Sequence, residues 1–213
     1  AAEAQALVDL LTPMVKAWPS DYALEANSIA IQIHGGAGYT RDFPVERLWR
    51  ENRFNAIHEG TNGIQAIDLV TRKLPLDDGR VVQTYLDELD AIAEQVQASN
   101  RAPINTMAAG LKRGLADLRS ATDYLLEQIK QGQKDVALCG ATPYLRLFGV
   151  AAGATYLAQS AMNSDATPTT DRAAVAGFMV GNLLNETTSL RASIEQGADS
   201  LLHAGDVLLQ EQG

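Results

Sequence analysis

Residues 32–65, QIHGGAGYTRDFPVERLWRENRFNAIHEGTNGIQ, set two glycine-rich turns and a proline-started helix around one conspicuous carboxylate, Glu59. Gly60, Thr61, Asn62 and Gly63 follow it, so a helix is expected to break there. Gly60 and Gly63 let backbone come close to a ligand, and Thr61 is suited to cap the next helix. A carboxylate beside exposed backbone N–H groups has the make-up of a general base next to a carbonyl-binding site. The structural alternative is a carboxylate held by a helix dipole.

Outward from this stretch almost every segment has helical period, and none sustains strand alternation. Upstream, Ala1 to Leu11 puts Ala4, Leu7, Val8 and Leu11 on one face. Thr12-Pro13 and Pro19-Ser20-Asp21 read as helix restarts. Tyr22, Ala26, Ile29, Ala30 and Ile33 then form an apolar stripe that stops at Gly35-Gly36. Phe43-Pro44 opens a short helix expected to carry Val45, Leu48 and Trp49 inward. Beyond Glu59, Ile64, Ile67 and either Leu69 or Val70 mark another helix, ending near Leu74.

Pro75 to Gly79 (PLDDG) is the best linker candidate, dividing the chain into residues 1–75 and 76–213. The second part holds long, regular helices with nothing resembling a site. Val81 to Val96 forms one and Met107 to Ile129 a second. Asp135 to Met162 forms a third, kinked or restarted at Pro143. Asp171 to about Gly197 forms a fourth, with a short helix from Ala198 to Leu202 beyond it. Four long helices with short connections fit an antiparallel bundle, so the expected fold class is all-α.

The composition excludes several classes. Of 213 residues, 26 are acidic and 17 basic, a formal net charge of −9 that argues against nucleic-acid binding. The second part carries 17 of the acids against 10 bases. The single cysteine, Cys139, allows no internal disulfide and points to a reducing compartment. No apolar run reaches membrane-spanning length and no signal peptide is visible. The chain begins with Ala inside an amphipathic segment, as expected for a piece of a longer chain.

Gly35-Gly36-Ala37-Gly38 is not a dinucleotide fingerprint, because a helical stripe and not a strand precedes it. His34, His58 and Glu59 lack the second histidine one turn on that a zinc helix needs, so no metal site is expected. Arg41, Arg47, Arg50 and Arg53 alternate with Asp42, Glu46 and Glu51, the spacing of ion pairs on a helix.

QIHGGAGY, then FPVERLWRENR, then IHEGTNGIQ, in that order, resembles the C-terminal helical domain of acyl-CoA dehydrogenases. The resemblance covers Ala1 to about Leu74. It implies that Glu59, opening the E-G-T turn, is the catalytic base. It also implies that Gln32, Gly35 and Gly36 approach the adenosine-pyrophosphate part of FAD bound to a neighbouring subunit, with Thr61 a further flavin contact and Gly60 against substrate. His58 stands where many members have an aromatic residue. Gly63 stands where many have a polar amide, so a side-chain flavin contact there is absent. Residues 76–213 extend past the end of the shorter members and resemble a subgroup with an extra C-terminal helical domain, some of whose members act on methylthio-propanoyl-CoA.

The implied chemistry is α,β-dehydrogenation of an acyl-CoA thioester. Glu59 removes the pro-R α-proton while the β-hydride passes to flavin N5. The backbone N–H of the glutamate and a flavin ribityl hydroxyl polarise the thioester carbonyl. Electron-transfer flavoprotein or a similar acceptor and a homo-oligomer are implied as partners. The family's N-terminal helical and central β-domains are not in this sequence, so the piece alone is expected to be inactive and its Ala4–Leu11 face to drive self-association. From a different class, the alternative is a helical assembly or interaction module that kept the family's sequence without its activity.

Overall fold

In the computed structural model, residues 2–164 and 170–210 are described. Every regular element among them is helical and none is a strand, as the all-α expectation required. The elements are α1 (Ala2–His34), α2 (Val45–Asn55), α3 (Asn62–Asp68), α4 (Arg80–Ala98) and α5 (Ala108–Lys130). They continue with α6 (Lys134–Cys139), α7 (Ala141–Asn163), α8 (Thr170–Phe178), α9 (Thr187–Gln196) and α10 (Ala198–Gln210). The expected start of the first helix at Ala1 lies outside the described residues.

Several local expectations are corrected. α1 does not restart at Pro13 or Pro19 but runs through both as one 33-residue helix. A proline inside a helix removes a backbone bond and crowds the preceding turn. Here burial of Leu10, Pro13, Met14 and Ala17 offsets that loss. Of the anticipated Ala4–Leu11 face, Val8 is exposed and Leu7 and Leu11 pack against the core, while the fully buried residue is Leu10.

Leu48 and Trp49 do not point inward; they are 51% and 39% exposed, and α2 buries no residue at all. Polar contacts dock this helix instead: Asn27 Nδ2 donates to the Leu48 carbonyl at 3.1 Å, and Asn52 Nδ2 to the Ser20 carbonyl at 3.2 Å. Ile29, Ile33, Ile64 and Ile67 are likewise exposed, whereas Leu69 and Val70 are fully buried. The third bundle helix breaks at Gly140, with Pro143 accommodated in the first turn of α7. The short helix from Ala198 extends to Gln210.

The PLDDG segment is a tight turn in which Asp77, Asp78 and Gly79 all have left-handed backbone, and Gly79 is buried against Leu126. One continuous apolar cluster runs from Leu10, Met14 and Leu69 through Val82, Leu118 and Phe148.

The bundle is antiparallel between successive helices. Arg119 on α5 reaches Asp87 and Asp90 on α4 at 2.9 and 2.7 Å, while Lys112, a turn or two earlier, meets Gln97 near the end of α4. Tyr144, early in α7, bonds Thr122, late in α5, at 2.8 Å. The last member of the bundle is interrupted by a π turn at Met179–Leu183. Val180 and Leu184 from this interrupted segment seat where Gly110 and Gly114 leave space on α5; a Cβ at either glycine would lie 2.6 or 2.7 Å from them. Asp117 then binds α9 through Thr187 and Thr188 hydroxyls at 2.8 and 2.9 Å.

Candidate functional site

Glu59 stands in the non-helical link between α2 and α3 with φ 52°, a left-handed conformation that costs a non-glycine residue about 1–2 kcal/mol. Gly60 follows at φ 88°. Such strain persists only where the surroundings hold it, and it concentrates at functional sites.

The surroundings here are α1 and Asn62. Lys16 Nζ donates to the Gly60 carbonyl at 2.6 Å and to Asn62 Oδ1 at 2.8 Å. Asn62 Nδ2 faces Asp21 Oδ1 at 2.7 Å, Ser20 Oγ at 2.9 Å and the Ala17 carbonyl at 3.2 Å. Its backbone N–H donates to the Ala56 carbonyl at 3.1 Å, closing the link. Thr61 caps α3, its hydroxyl accepting from the Ile64 N–H at 3.3 Å, as the sequence implied.

The Glu59 carboxylate opens onto a cleft lined by Lys16, Ser20, Asn52, Asn55 and His58. Its side chain is 84% exposed. His58 stacks on Phe54, ring centroids 4.7 Å apart, and holds Nε2 3.6 Å from Glu59 Oε1. The backbone N–H groups of Glu59 and Gly60 have no acceptor among the described residues. The turn therefore presents a carboxylate and unpartnered donors side by side, the pairing that carbonyl α-proton chemistry uses.

Gln32, Gly35 and Gly36 lie apart from this turn, at the end of α1. All three are exposed, and a Cβ on either glycine would meet nothing within 4 Å. Gly35 has φ 62°, which ends the helix as the sequence suggested. The same corner is closed by Gly38, whose Cβ would lie 2.8 Å from the Ile31 carbonyl. Gln32 offers an amide donor there, and with no side chain on Gly35 or Gly36 the backbone between them is open to close approach.

The clamp of Lys16, Ser20, Asp21 and Asn62 was not legible as a site in the sequence. In the sequence Pro19-Ser20-Asp21 reads as a helix restart and Asn62 as part of the break after Glu59, and nothing local joins the two. The arginine-rich α2 carries the anticipated ion pairs, Arg47–Glu51 at 2.7 Å and Arg50–Glu46 at 3.6 Å. No group of three or more His, Cys, Asp or Glu side chains placed to hold a metal occurs among the described residues. No described helix is long and apolar enough to cross a membrane.

Comparison with known proteins bears on both parts of the chain. Residues 1–74 match the family description "Acyl-CoA dehydrogenase, C-terminal domain", and residues 85–204 match "Acetyl-CoA dehydrogenase C-terminal like". Over 95% of its length the chain is 32% identical to 3-methylmercaptopropionyl-CoA dehydrogenase of Ruegeria pomeroyi, covering 36% of that protein. It is 26% identical over 88% of its length to the broad-specificity linear acyl-CoA dehydrogenase FadE5 of Mycobacterium tuberculosis, covering 33% of it. A 52-residue segment is 52% identical to the probable acyl-CoA dehydrogenase FadE25 of Mycobacterium tuberculosis, 24% of this chain and 13% of that one. The chain thus spans about a third of the length of the two relatives that it matches nearly throughout.

Proposed function

Since the chain belongs to the acyl-CoA dehydrogenase family, we propose that it is the C-terminal part of a flavin-dependent enzyme that dehydrogenates an acyl-CoA thioester between Cα and Cβ, with Glu59 as base. The observation that carries this reading is the strained Glu59 turn, pinned by Lys16 and Asn62 and opening on a cleft. Left-handed backbone alone does not mark a base, since Asp77 and Asp78 share it; Glu59 differs in facing a cleft between α1 and α2.

In this reading the thioester carbonyl docks on the backbone N–H of Glu59, which acidifies the α-carbon by spreading the developing negative charge. The Glu59 carboxylate takes the pro-R α-proton. Gly60, with no side chain, lets the thioester lie against the turn. Gln32, Gly35 and Gly36 would hold the adenosine-pyrophosphate part of FAD bound to a neighbouring subunit, and Thr61 would be a further flavin contact. Bound FAD supplies the acceptor for the β-hydride, chemistry that no side chain of this chain can provide.

Residues 1–75 form the site-bearing part and residues 76–213 the added bundle. The exposure of the Glu59 side chain supports inactivity of this stretch on its own, because desolvation is what strengthens a carboxylate base. Electron-transfer flavoprotein or a similar carrier would reoxidise the parent enzyme, a homo-oligomer in the cytoplasm.

The test uses the full-length parent with its flavin. Oxygen is excluded, a panel of acyl-CoA thioesters is added, and the visible flavin band is followed. Bleaching by one class of acyl chain supports the reading and names the substrate. A flavin-loaded protein that no thioester bleaches contradicts it, and a parent that binds no flavin favours a non-catalytic assembly module.

A further inference from the structure

Residues 16–22 of α1 present two opposite faces, because positions 16 and 20 lie on one side of a helix and 18 and 22 on the other. Lys16 and Ser20 hold Gly60 and Asn62. The other face is seated in the added bundle. The Trp18 ring lies across Gly149 and Gly153 of α7, so closely that a Cβ at Gly149 would overlap Trp18 Cγ. A Cβ at Gly153 would lie 2.7 Å from Trp18 Cη2. Tyr22, with its ring centroid 4.9 Å from that of Trp18, donates its hydroxyl to Glu186 at 2.5 Å. Arg146 of α7 locks the same place from the bundle side. It bonds Glu25 at 2.7 Å and Glu186 at 2.8 Å, with its guanidinium 5.0 Å from the centre of the Tyr22 ring.

We infer that the added bundle is a positioning scaffold for the catalytic turn, and that Trp18, seated between Gly149 and Gly153, is the residue through which it acts. The inference rests on the proposed role of Glu59. About half a turn of helix separates the seat from each side of the clamp, and helix backbone is stiff. A shift of Trp18 along α7 therefore moves Lys16 and Ser20, and with them the Gly60 carbonyl and the base before it. Trp18 faces α7 and does not line the Glu59 cleft, so its role is positional.

The pairing predicts a size switch. Gly153→Ala adds a methyl where the six-membered edge of the indole lies, and Trp18→Phe removes that edge. In the flavin-loaded full-length parent, Gly153→Ala is expected to slow bleaching at saturating acyl-CoA by about tenfold or more, since a misplacement on the order of 1 Å is enough to do so. KM should change by less than about twofold, because the substrate pocket itself is untouched. Adding Trp18→Phe should restore most of the lost rate. A double variant no faster than Gly153→Ala, or a Gly153→Ala enzyme at wild-type rate, overturns the inference. If Gly153→Ala does not hold flavin, Trp18→Phe alone decides: a lower rate at unchanged KM supports the scaffold, and a wild-type rate with only lowered thermal stability overturns it. A wild-type parent that no thioester bleaches removes the dehydrogenase reading and this inference with it.

Discussion

The ammonium of Lys16 sits 2.6 Å from the carbonyl oxygen of Gly60, tying the residue after the candidate base to a helix turn that lies 44 positions earlier in the chain. The same ammonium reaches Asn62, so a single cation holds the turn on both sides of Thr61. Charge-assisted bonds of this kind are stronger than neutral ones.

Replacing Lys16 by Met leaves the Gly60 carbonyl and the Asn62 amide oxygen without their donor. The expected cost is about 1–2 kcal/mol, read as a lower urea midpoint of this chain. Lys16→Arg should recover part of it, since a guanidinium can still donate to both oxygens. Equal stability of the Met variant and the unaltered chain would show that the contact is not holding the turn.

Glu59 trades stability for its position. Glycine adopts φ 52° without penalty, so Glu59→Gly is expected to stabilise the chain by up to about 1 kcal/mol, whereas Glu59→Gln keeps the strain. Chemical denaturation of the two variants side by side gives the sign. A Glu59→Gly chain less stable than Glu59→Gln would mean that the side chain, and not the backbone, is what the fold tolerates there.

Alkaline pH should loosen the bundle. Burial pushes the Tyr144 and Tyr85 hydroxyls up, and burial followed by the Glu186 hydrogen bond does the same to Tyr22. An unfolded phenol titrates near about 10. Below that pH both states keep the proton and the stability is fully present. Above it the unfolded chain releases protons that the folded chain retains, so stability falls as pH rises towards the folded values. Urea midpoints measured from pH 9 to about 11 should decline, and less steeply in Tyr144→Phe. A flat profile would contradict the burial of these hydroxyls.

Ile33, Tyr39, Ile29 and Phe54 are 78%, 83%, 60% and 56% exposed, which leaves apolar surface around the end of α1 and on α2 uncovered. Isolated, this chain is expected to self-associate with rising concentration, and Ile33→Lys should weaken that association. Light scattering checks both. A chain that stays monomeric throughout, with or without the substitution, would show this surface to be inert.

What the sequence made legible follows from how local each signal is. The helix stop at Gly35, the Thr61 cap and the bundle stripes are set by neighbouring residues and were readable. The inward placement of Leu48 and Trp49 was not, because helical period shows that a helix has an apolar face but not what covers it. The prolines of α1 misled for a related reason: their local cost is outweighed by burial of Leu10, Met14 and Ala17 against distant helices. Lys16 and Asn62 meet across 46 positions, and Trp18 meets Gly149 across a longer interval still. No spacing rule reports contacts of that kind.

The central claim is that Glu59 takes a proton from the α-carbon of an acyl-CoA thioester. The most direct measurement incubates the flavin-loaded parent in D2O with a saturated acyl-CoA that bleaches it, and follows loss of the α-hydrogen signal by NMR. The account predicts exchange at the α-carbon in the wild-type enzyme and none above background in Glu59→Gln with flavin still bound. Undiminished exchange in Glu59→Gln would contradict it and place the base elsewhere.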